Sequence, residues 1–261
     1  MKRFLVESCL LSHGLVSVSS KEMADAWPED IDSIAWIEDG DIKIGSMAEF
    51  VSFRESDKAK RRIDYTELDK VLQEGGSGAL TASGTMAVCL KKGAVLAVTC
   101  GMGGIGDIYG EELCPDLPAL RDLPVKLLAT SPKDMLDIDK SVAWLRDAGV
   151  SIVGIGSDIC TGYIFKSAEV KLDGVFSSAR DLSKEHLLIL NGIPEEKRVP
   201  DSSLIEKGIA AGKLAESRGE YYHPAVNAAF DELSEGYSSR IQLHSIIENA
   251  KLAKKITENI Y

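Results

Sequence analysis

Short apolar runs rich in Val, Ile and Leu alternate along the chain with longer stretches whose apolar residues recur at helical spacing. This alternation is typical of strands that feed helices around a largely parallel sheet, so we predict an α/β fold. The predicted strands are Phe4 to Val6, Ile34 to Ile37, Asp41 to Ile44, Val95 to Thr99, Val125 to Ala129, Ser151 to Ile155 and Leu187 to Leu190. Asp39-Gly40 suits a tight turn, which makes the second and third strands a hairpin.

The longer amphipathic stretches predict helices. They are Ser20 to Trp27, Tyr65 to Gln73, Thr81 to Leu90, Lys133 to Ala148, Ser203 to Arg218, Pro224 to Leu233 and Ile241 to Asn259. The last three make the C-terminal third of the chain helical. No internal repeat or linker-like stretch interrupts the 261 residues, of which 44% are hydrophobic, so we expect a single domain over residues 1–261.

The charge of the chain narrows the range of partners. A formal net charge of -11 at pH 7 and a pI near 4.9 argue against nucleic acid or an anionic membrane, because such partners demand clustered positive charge. Any recognition of a phosphate group must then be local.

The cysteines and the N-terminal segment indicate the cellular compartment in which the protein works. The five cysteines are scattered, odd in number and never arranged as a C-x-x-C pair, which fits reduced thiols. The first apolar run meets Glu7 too early for a signal peptide, and no segment approaches the length of a membrane span. We therefore expect a cytoplasmic protein.

Polar or glycine-rich residues follow the predicted strands, where the ligand crevice of an open α/β sheet lies. They are Glu7, the run 101–106, Thr130 to Lys133, Ser157-Asp158 and Asn191-Gly192. The glycines of the 101–106 run would let an anion or a ribose approach the backbone, and a plain tight turn explains them equally well. The run is no dinucleotide fingerprint, because it lacks a clean G-x-G-x-x-G with an acidic residue about 20 positions later.

Lys133 is the candidate nucleophile. Ser131 can cap a helix beginning here and Pro132 suits its first turn, which would place the ammonium group at the positive end of the helix dipole. That position, together with burial in a crevice, favours the neutral amine, which is the nucleophilic form. A surface lysine reaching into water is the alternative.

Two carboxylates and the histidines are ambiguous when taken alone. Glu7 is either a crevice carboxylate or the exposed end of its strand, and base rates favour the exposed end. Asp116 could bind a hard cation through oxygen or cap the helix that follows, which is the commoner role. His13 lies beside a glycine and suits a turn, and the four histidines show no metal-ligand spacing.

Several segments carry a resemblance when they are read together and in order. They are Glu7 to Gly14, Asp41 to Gly45, Gly78 to Met86, Thr99 to Ile105, Asp116-Leu117, Lys133 to Asp137, Gly149 to Gly154, Asn191 to Glu196 and Glu248 to Ala253. From Val6 to about Ile256 the chain resembles the pseudouridine-5'-phosphate glycosidase family, also called indigoidine synthase A-like proteins.

The resemblance implies a three-layer α/β/α sandwich that assembles as a homotrimer. It implies an enzyme of the pseudouridylate synthase type, which reversibly cleaves pseudouridine 5'-phosphate to uracil and ribose 5-phosphate. A lysine would form an imine with ring-opened ribose, a glutamate would transfer protons and an aspartate would help hold a divalent metal, Mn²⁺. Position by position these are Lys133, Glu7 and Asp116. The substrate-binding positions implied are Arg62, Thr81, Gly101, Gly103, Gly104, Cys114, Asn191, Gln242 and Asn249.

The chain departs from the family pattern around this core. Arg62 stands where the family has a phosphate-binding lysine, Gly106-Asp107 replaces a histidine motif, Cys114 replaces a serine and Gln242 replaces an asparagine. These changes leave two alternatives open. One is a C-riboside synthase or glycosidase that acts on another base or an unphosphorylated sugar. The other is a non-catalytic paralogue that binds a sugar phosphate.

Overall fold

The computed structural model describes residues 3–258 of the chain and confirms the α/β class, with a mostly parallel mixed sheet and a helical C-terminal part. The strands are β1 (Phe4–Val6), β2 (Ile34–Glu38), β3 (Asp41–Gly45), β4 (Arg62–Ile63), β5 (Gly78–Leu80), β6 (Leu96–Val98), β7 (Gly101–Met102), β8 (Lys126–Ala129), β9 (Ser131–Pro132), β10 (Ser151–Gly154), β11 (Ile159–Cys160), β12 (Val170–Lys171), β13 (Gly174–Val175) and β14 (Leu187–Leu190).

Helices follow most of the central strands. They are α1 (Ser20–Ala26), α2 (Met47–Arg54), α3 (Leu68–Gln73), α4 (Ala82–Lys92), α5 (Asp116–Asp122), α6 (Ile138–Asp147), α7 (Leu204–Glu216), α8 (Tyr222–Leu233) and α9 (Tyr237–Glu258). A π-helical turn spans Leu10–Gly14, and short 3-10 turns span Asp57–Lys60, Ala179–Ser183 and Glu195–Lys197.

The main sheet has the order β13-β10-β14-β8-β6-β1-β2-β5-β4, and β3 pairs with β2. Neighbouring strands are parallel except where β2 pairs with β3 and with β5. The predicted hairpin between β2 and β3 is confirmed, and Asp39 and Gly40 at its turn have φ of 52° and 80°. Beyond the main sheet, β7 continues the line of β6 and pairs in parallel with β9, which continues β8.

Alternate residues of β1 enter two separate cores, which places the sheet between two helical layers. Val6 packs in a core with Phe50 of α2 and Ile246 of α9. Leu5 packs in the opposite core with Met86 of α4. The alternation follows from the period of two along a strand, and it produces the predicted three-layer arrangement.

The predicted helix that starts at Lys133 was wrong at its beginning. Helix α6 begins at Ile138, and its N-cap is Asp137, whose side chain accepts a hydrogen bond from the Lys140 amide. Ser131 and Pro132 pair instead with Gly101–Met102, because parallel pairing satisfies their backbone where a helix would break the ladder. The helix-dipole argument for Lys133 therefore fails.

Other boundaries differ by a few residues, and some elements were not predicted. The unpredicted strands of the main sheet are β4, β5 and β13. Helix α2 was not predicted either, although it begins with a capping box between Ser46 and Glu49. Helix α9 starts at Tyr237, four residues before its predicted start, while the predicted end at Asn259 lies outside the described residues.

Candidate active site

A cleft opens beyond the carboxyl ends of β1, β6 and β8, and six of the predicted site residues line it. They are Glu7, Arg62, Thr81, Gly101, Asp116 and Lys133. Chain connectivity explains much of this convergence, because Glu7, Thr81 and Lys133 each follow a strand directly. Arg62 and Gly101 begin the short strands β4 and β7, and Asp116 begins α5. The rule that ligands bind at the carboxyl edge of a parallel sheet therefore located this cleft from sequence.

Glu7 is buried at the end of β1, with 6% of its surface exposed, so the reading of it as an exposed strand end was wrong. Its backbone amide donates to the Val98 carbonyl at 2.9 Å. Burial and then the Asp116 charge raise the pKa of Glu7, while Lys133 and Arg62 lower it, and the net pKa is about 8 against an ordinary 4.5. The carboxyl group is therefore largely protonated at neutral pH and can act as an acid.

Lys133 reaches the cleft from the loop that follows β9. Its amide donates to the Met102 carbonyl at 3.1 Å, and its carbonyl accepts from the Leu136 amide at 2.9 Å. Gly101 makes room for the lysine stem, since a Cβ on Gly101 would lie 3.0 Å from Lys133 Cγ and 2.6 Å from the Tyr163 ring. Strand pairing and a glycine, rather than a helix terminus, thus aim this side chain.

The next residues of that loop are fixed by a buried carboxylate. Asp134 accepts hydrogen bonds from the amides of Tyr163, Ile164 and Phe165 at 2.8–3.1 Å and from the Ser167 hydroxyl at 2.5 Å. Four donors on one carboxylate hold the loop rigidly against the 161–167 segment.

Asp116 does not cap its own helix. Its two oxygens accept from the Ser83 amide at 2.9 Å and from the Gly103 amide at 2.8 Å. It therefore satisfies the first turn of α4 and the glycine run at the same time. Each oxygen retains acceptor capacity in the cleft. A hard cation completed by water would fit this donor set.

Gly103 and Gly104 lie just behind the cleft surface and permit close packing. A Cβ on Gly103 would lie 2.5 Å from Cys114 Cβ, and one on Gly104 would lie 2.5 Å from Ser141 Oγ. Cys114 is buried beside them, and its thiol lies 3.0 Å from Glu111 Oε1 and 3.7 Å from His223 Nε2. Burial, followed by the Glu111 and Asp116 charges, raises the pKa of Cys114 well above its ordinary value.

Like Gly103, Gly104 and Cys114, the predicted substrate contacts Asn191, Gln242 and Asn249 are not among the residues that line this cleft. Asn249 donates to the Thr99 carbonyl at 2.8 Å and the Thr130 hydroxyl at 3.1 Å, and its own carbonyl accepts from Asn191 at 2.9 Å. Gln242 accepts from the Tyr163 hydroxyl at 3.1 Å. These amides tie α9 to the strand ends, so they support the cleft from behind.

Sequence reasoning missed His223 and left His13 as a turn residue, yet both line the cleft. His223 comes from α8, and its pKa lies well below the ordinary value because of burial and then the charges of Lys133 and Arg62. Burial and then Arg62 lower the pKa of His13 as well. His13 lies in one of the matching segments, but His223 carries no local signal, since only the fold brings α8 over the cleft.

The chain is similar to known proteins over most of its length. The model of the family described as indigoidine synthase A like protein matches residues 5–259. A pseudouridine-5'-phosphate glycosidase of Caldanaerobacter subterraneus is 27% identical, covering 96% of this chain and 89% of the relative. One from Thermus thermophilus is 25% identical, covering 97% and 96%.

Two solved structures share the fold. An indigoidine synthase A-like protein of Thermotoga maritima superposes with a TM-score of 0.79 at 21% identity, covering 98% of this chain and 92% of that one. The prealnumycin C-glycosynthase, solved with ribulose 5-phosphate, gives a TM-score of 0.77 at 20% identity with the same coverage. Within residues 3–258, no helix is long and apolar enough to cross a bilayer.

Proposed function

The chain belongs to the indigoidine synthase A-like family, and from that premise we propose that it is an enzyme that reversibly cleaves pseudouridine 5'-phosphate to uracil and ribose 5-phosphate. Its relatives from Caldanaerobacter subterraneus and Thermus thermophilus, which are named pseudouridine-5'-phosphate glycosidases, support this substrate. The observation that carries the proposal is the convergence of Lys133, Glu7 and Asp116 on one cleft.

A lysine nucleophile suits cleavage of the carbon–carbon bond between C1' and the base. The base is attached through carbon, so its linking atom has no lone pair for an acid to protonate, unlike the oxygen leaving group of an ordinary glycoside. The electrons that expel the base must therefore come from a group bonded to the sugar. An amine bonded to C1' can supply them as an iminium forms.

The steps balance with Lys133 as nucleophile and Glu7 as acid. Lys133 Nζ bonds to C1', the bond from C1' to the ring oxygen breaks, and Glu7 gives that oxygen its proton. The Glu7 carboxylate then takes a proton from the attached nitrogen, which restores the nitrogen lone pair. That lone pair forms a C=N bond as the bond from C1' to the base breaks, and the electron pair left on the base carbon takes up the proton that Glu7 returns. Water adds to the iminium, which releases ribose 5-phosphate and the free amine.

The remaining residues orient the substrate. Arg62, half-buried at the cleft, offers a planar guanidinium to the 5'-phosphate. Asp116 would hold Mn²⁺, which supplies charge stabilisation and ordered water when it is bound. The amide bonds from Ser83 and Gly103 fix the orientation of that carboxylate.

The test is to incubate the protein with Mn²⁺ and pseudouridine 5'-phosphate and to measure released uracil by chromatography. We expect turnover, and we expect borohydride with ribose 5-phosphate to leave a reduced adduct on Lys133, seen by peptide mass. Uracil release without any adduct would contradict the imine. An absence of both would favour the non-catalytic paralogue.

The departures from the family pattern around the cleft support a second candidate function. This is a C-riboside synthase or glycosidase that acts on another base or on an unphosphorylated sugar. The specific observation is the group of Glu111, Cys114 and His223 beside the cleft, in which Glu111 adds a carboxylate next to Cys114. Comparing turnover of pseudouridine with that of its 5'-phosphate separates the two, because a working phosphate site strongly prefers the latter.

We also propose that the enzyme is cytoplasmic and homotrimeric. Five free, buried cysteines support a reducing compartment. The trimer rests on the family resemblance, and sedimentation equilibrium would test it.

A further inference from the structure

Three side chains of the types that bind metals meet beside the cleft and take no part in the imine steps proposed for Lys133 and Glu7. Glu111 and Cys114 lie in the loop before α5, and His223 projects from the first turn of α8. Cys114 Sγ lies 3.0 Å from Glu111 Oε1 and 3.7 Å from His223 Nε2, and Glu111 Oε1 lies 3.7 Å from His223 Nε2.

We propose that Glu111, Cys114 and His223 form a binding site for a borderline-soft divalent ion of the zinc class, distinct from the Asp116 carboxylate. Carboxylate, thiolate and imidazole are the ligand types that zinc takes. A thiolate disfavours the hard ions that suit Asp116.

The distances fit such an ion with small adjustments. A tetrahedral zinc with ligand bonds of about 2.0–2.3 Å requires ligand atoms about 3.3–3.6 Å apart. The three separations of 3.0, 3.7 and 3.7 Å differ from this by a few tenths of an ångström. Rotation of the partly exposed Glu111 side chain can adjust the two separations that involve Glu111. The third, 3.7 Å from Cys114 Sγ to His223 Nε2, already lies close to the tetrahedral value.

The surroundings of His223 favour metal binding over a role in packing alone for Glu111, Cys114 and His223. The residue surface of His223 is 3% exposed, so both ring nitrogens are removed from bulk water. A buried imidazole that serves packing alone normally has an ordinary nitrogen or oxygen hydrogen-bond partner. Here the ring is held over the cleft with its Nε2 facing only a thiol and a carboxylate within the described part of the chain.

The backbone around the ligands is already ordered. Gly106 donates to the Glu112 carbonyl at 3.1 Å, Glu111 donates to the Ile108 carbonyl at 3.1 Å, and Cys114 donates to the Gly104 carbonyl at 3.0 Å. These bonds close the loop, so binding need not pay for its folding. Because Cys114 and Asp116 both lie against Gly103, the site adjoins the catalytic carboxylates.

Binding also balances charge and protons. The Cys114 thiol proton leaves to solvent as the sulfur–metal bond forms, and the resulting thiolate and the Glu111 carboxylate together neutralise a divalent ion. Three protein ligands leave a fourth position for water or for an oxygen of the substrate.

The experiment uses full-length, metal-depleted protein with Zn²⁺ in a chelator competition, and Co²⁺ as a spectroscopic substitute. We expect one Zn²⁺ per chain, and a sulfur-to-cobalt charge-transfer band. Cys114→Ser should abolish the band, and both Cys114→Ser and His223→Gln should weaken Zn²⁺ binding by about a hundredfold. Cys89→Ser, a buried thiol that points to the Leu96 carbonyl, is the matched control and should bind normally.

Asp116→Asn separates the two metal positions. It should reduce Mn²⁺ binding and leave Zn²⁺ affinity within about threefold of wild type. The proposal is overturned if the wild type binds no Zn²⁺, if both ligand variants keep wild-type affinity, or if Asp116→Asn removes the Zn²⁺. These readouts do not depend on turnover, so their failure is distinguishable from failure of the proposed glycosidase activity.

Discussion

The backbone amide of Lys133 donates to the carbonyl of Met102 at 3.1 Å. This bond extends the pairing of β7 with β9, so the proposed nucleophile is positioned by the strand that carries Gly101. Residues Gly101 and Met102 of the glycine run therefore position Lys133, in addition to any contact that the run makes with a sugar.

Replacement of Lys133 by alanine should reduce turnover by about a thousandfold or more, because no other amine replaces the iminium. The variant should stay folded, with the cooperative thermal transition of the wild type. Lys140→Ala is the matched control, since Lys140 is exposed and pairs with Asp137. Wild-type activity in Lys133→Ala would refute the mechanism.

Gly101→Ala tests how the lysine is aimed. The added methyl group would clash with the Tyr163 ring at 2.6 Å and crowd Lys133 Cγ at 3.0 Å. We expect kcat to fall by about tenfold to a hundredfold, since a shift of about 1 Å in a reacting group has that effect. The yield of the borohydride adduct should fall in parallel. Gly174→Ala is the matched control and should keep wild-type activity, because a Cβ at Gly174 meets no atom within 4 Å. Gly110→Ala is unsuitable as a control because the φ of Gly110 is 73°.

Glu7→Gln should lower kcat by about a hundredfold to ten-thousandfold, the range for loss of a general acid. Because its pKa is raised by burial to about 8, wild-type activity should decline as pH rises through 8. The exposed Glu29→Gln should behave like wild type. An unchanged pH profile in Glu7→Gln would exclude Glu7 as the group responsible.

The raised pKa of Glu7 also makes the free energy of unfolding depend on pH. The folded pKa of about 8 lies above the ordinary 4.5 because of burial, so the stabilising contribution is fully present below pH 4.5 and is lost as pH rises through 8. Urea unfolding should reveal a loss of a few kcal/mol across this window, on the order expected for such a shift. Glu7→Gln should flatten that dependence.

The sequence predicted the sheet more closely than the site. Apolar runs identified β1, β8, β10 and β14 within a residue or so, because buried parallel strands are continuous apolar segments. The start of α6 was misplaced because Ser131-Pro132 and Asp137 carry equally plausible start signals. Only pairing with Gly101–Met102 decides between them.

Placement of polar side chains on long helices was the least predictable feature. His223 reaches Cys114 across 109 positions of sequence, and nothing local marks it. Conversely, Asn249 and Gln242 matched positions that implied substrate contact, yet they face inward from α9 and satisfy buried groups. A buried amide has the same sequence signature in both roles.

Arg62→Met should remove selectivity for the phosphate. A charged hydrogen bond contributes about 1.5–3 kcal/mol, so kcat/KM for the 5'-phosphate should fall by about tenfold to a hundredfold, mainly through KM. Activity on unphosphorylated pseudouridine should change much less. Arg61→Met is the control, since Arg61 pairs with Glu67 at the surface. An equal loss on both substrates would argue against a phosphate contact.

Asn249→Ala should act on stability. The change leaves the Thr99 carbonyl and the Thr130 hydroxyl without the Asn249 amide, and Asn191 without its acceptor. A loss of about 2–4 kcal/mol in the free energy of unfolding is expected from unsatisfied buried polar groups, measured by urea titration. Glu248→Ala, an exposed neighbour on α9, should cost under about 0.5 kcal/mol. If Asn249→Ala instead keeps wild-type stability and raises KM severalfold, the amide contacts substrate and the supporting role assigned to it is wrong.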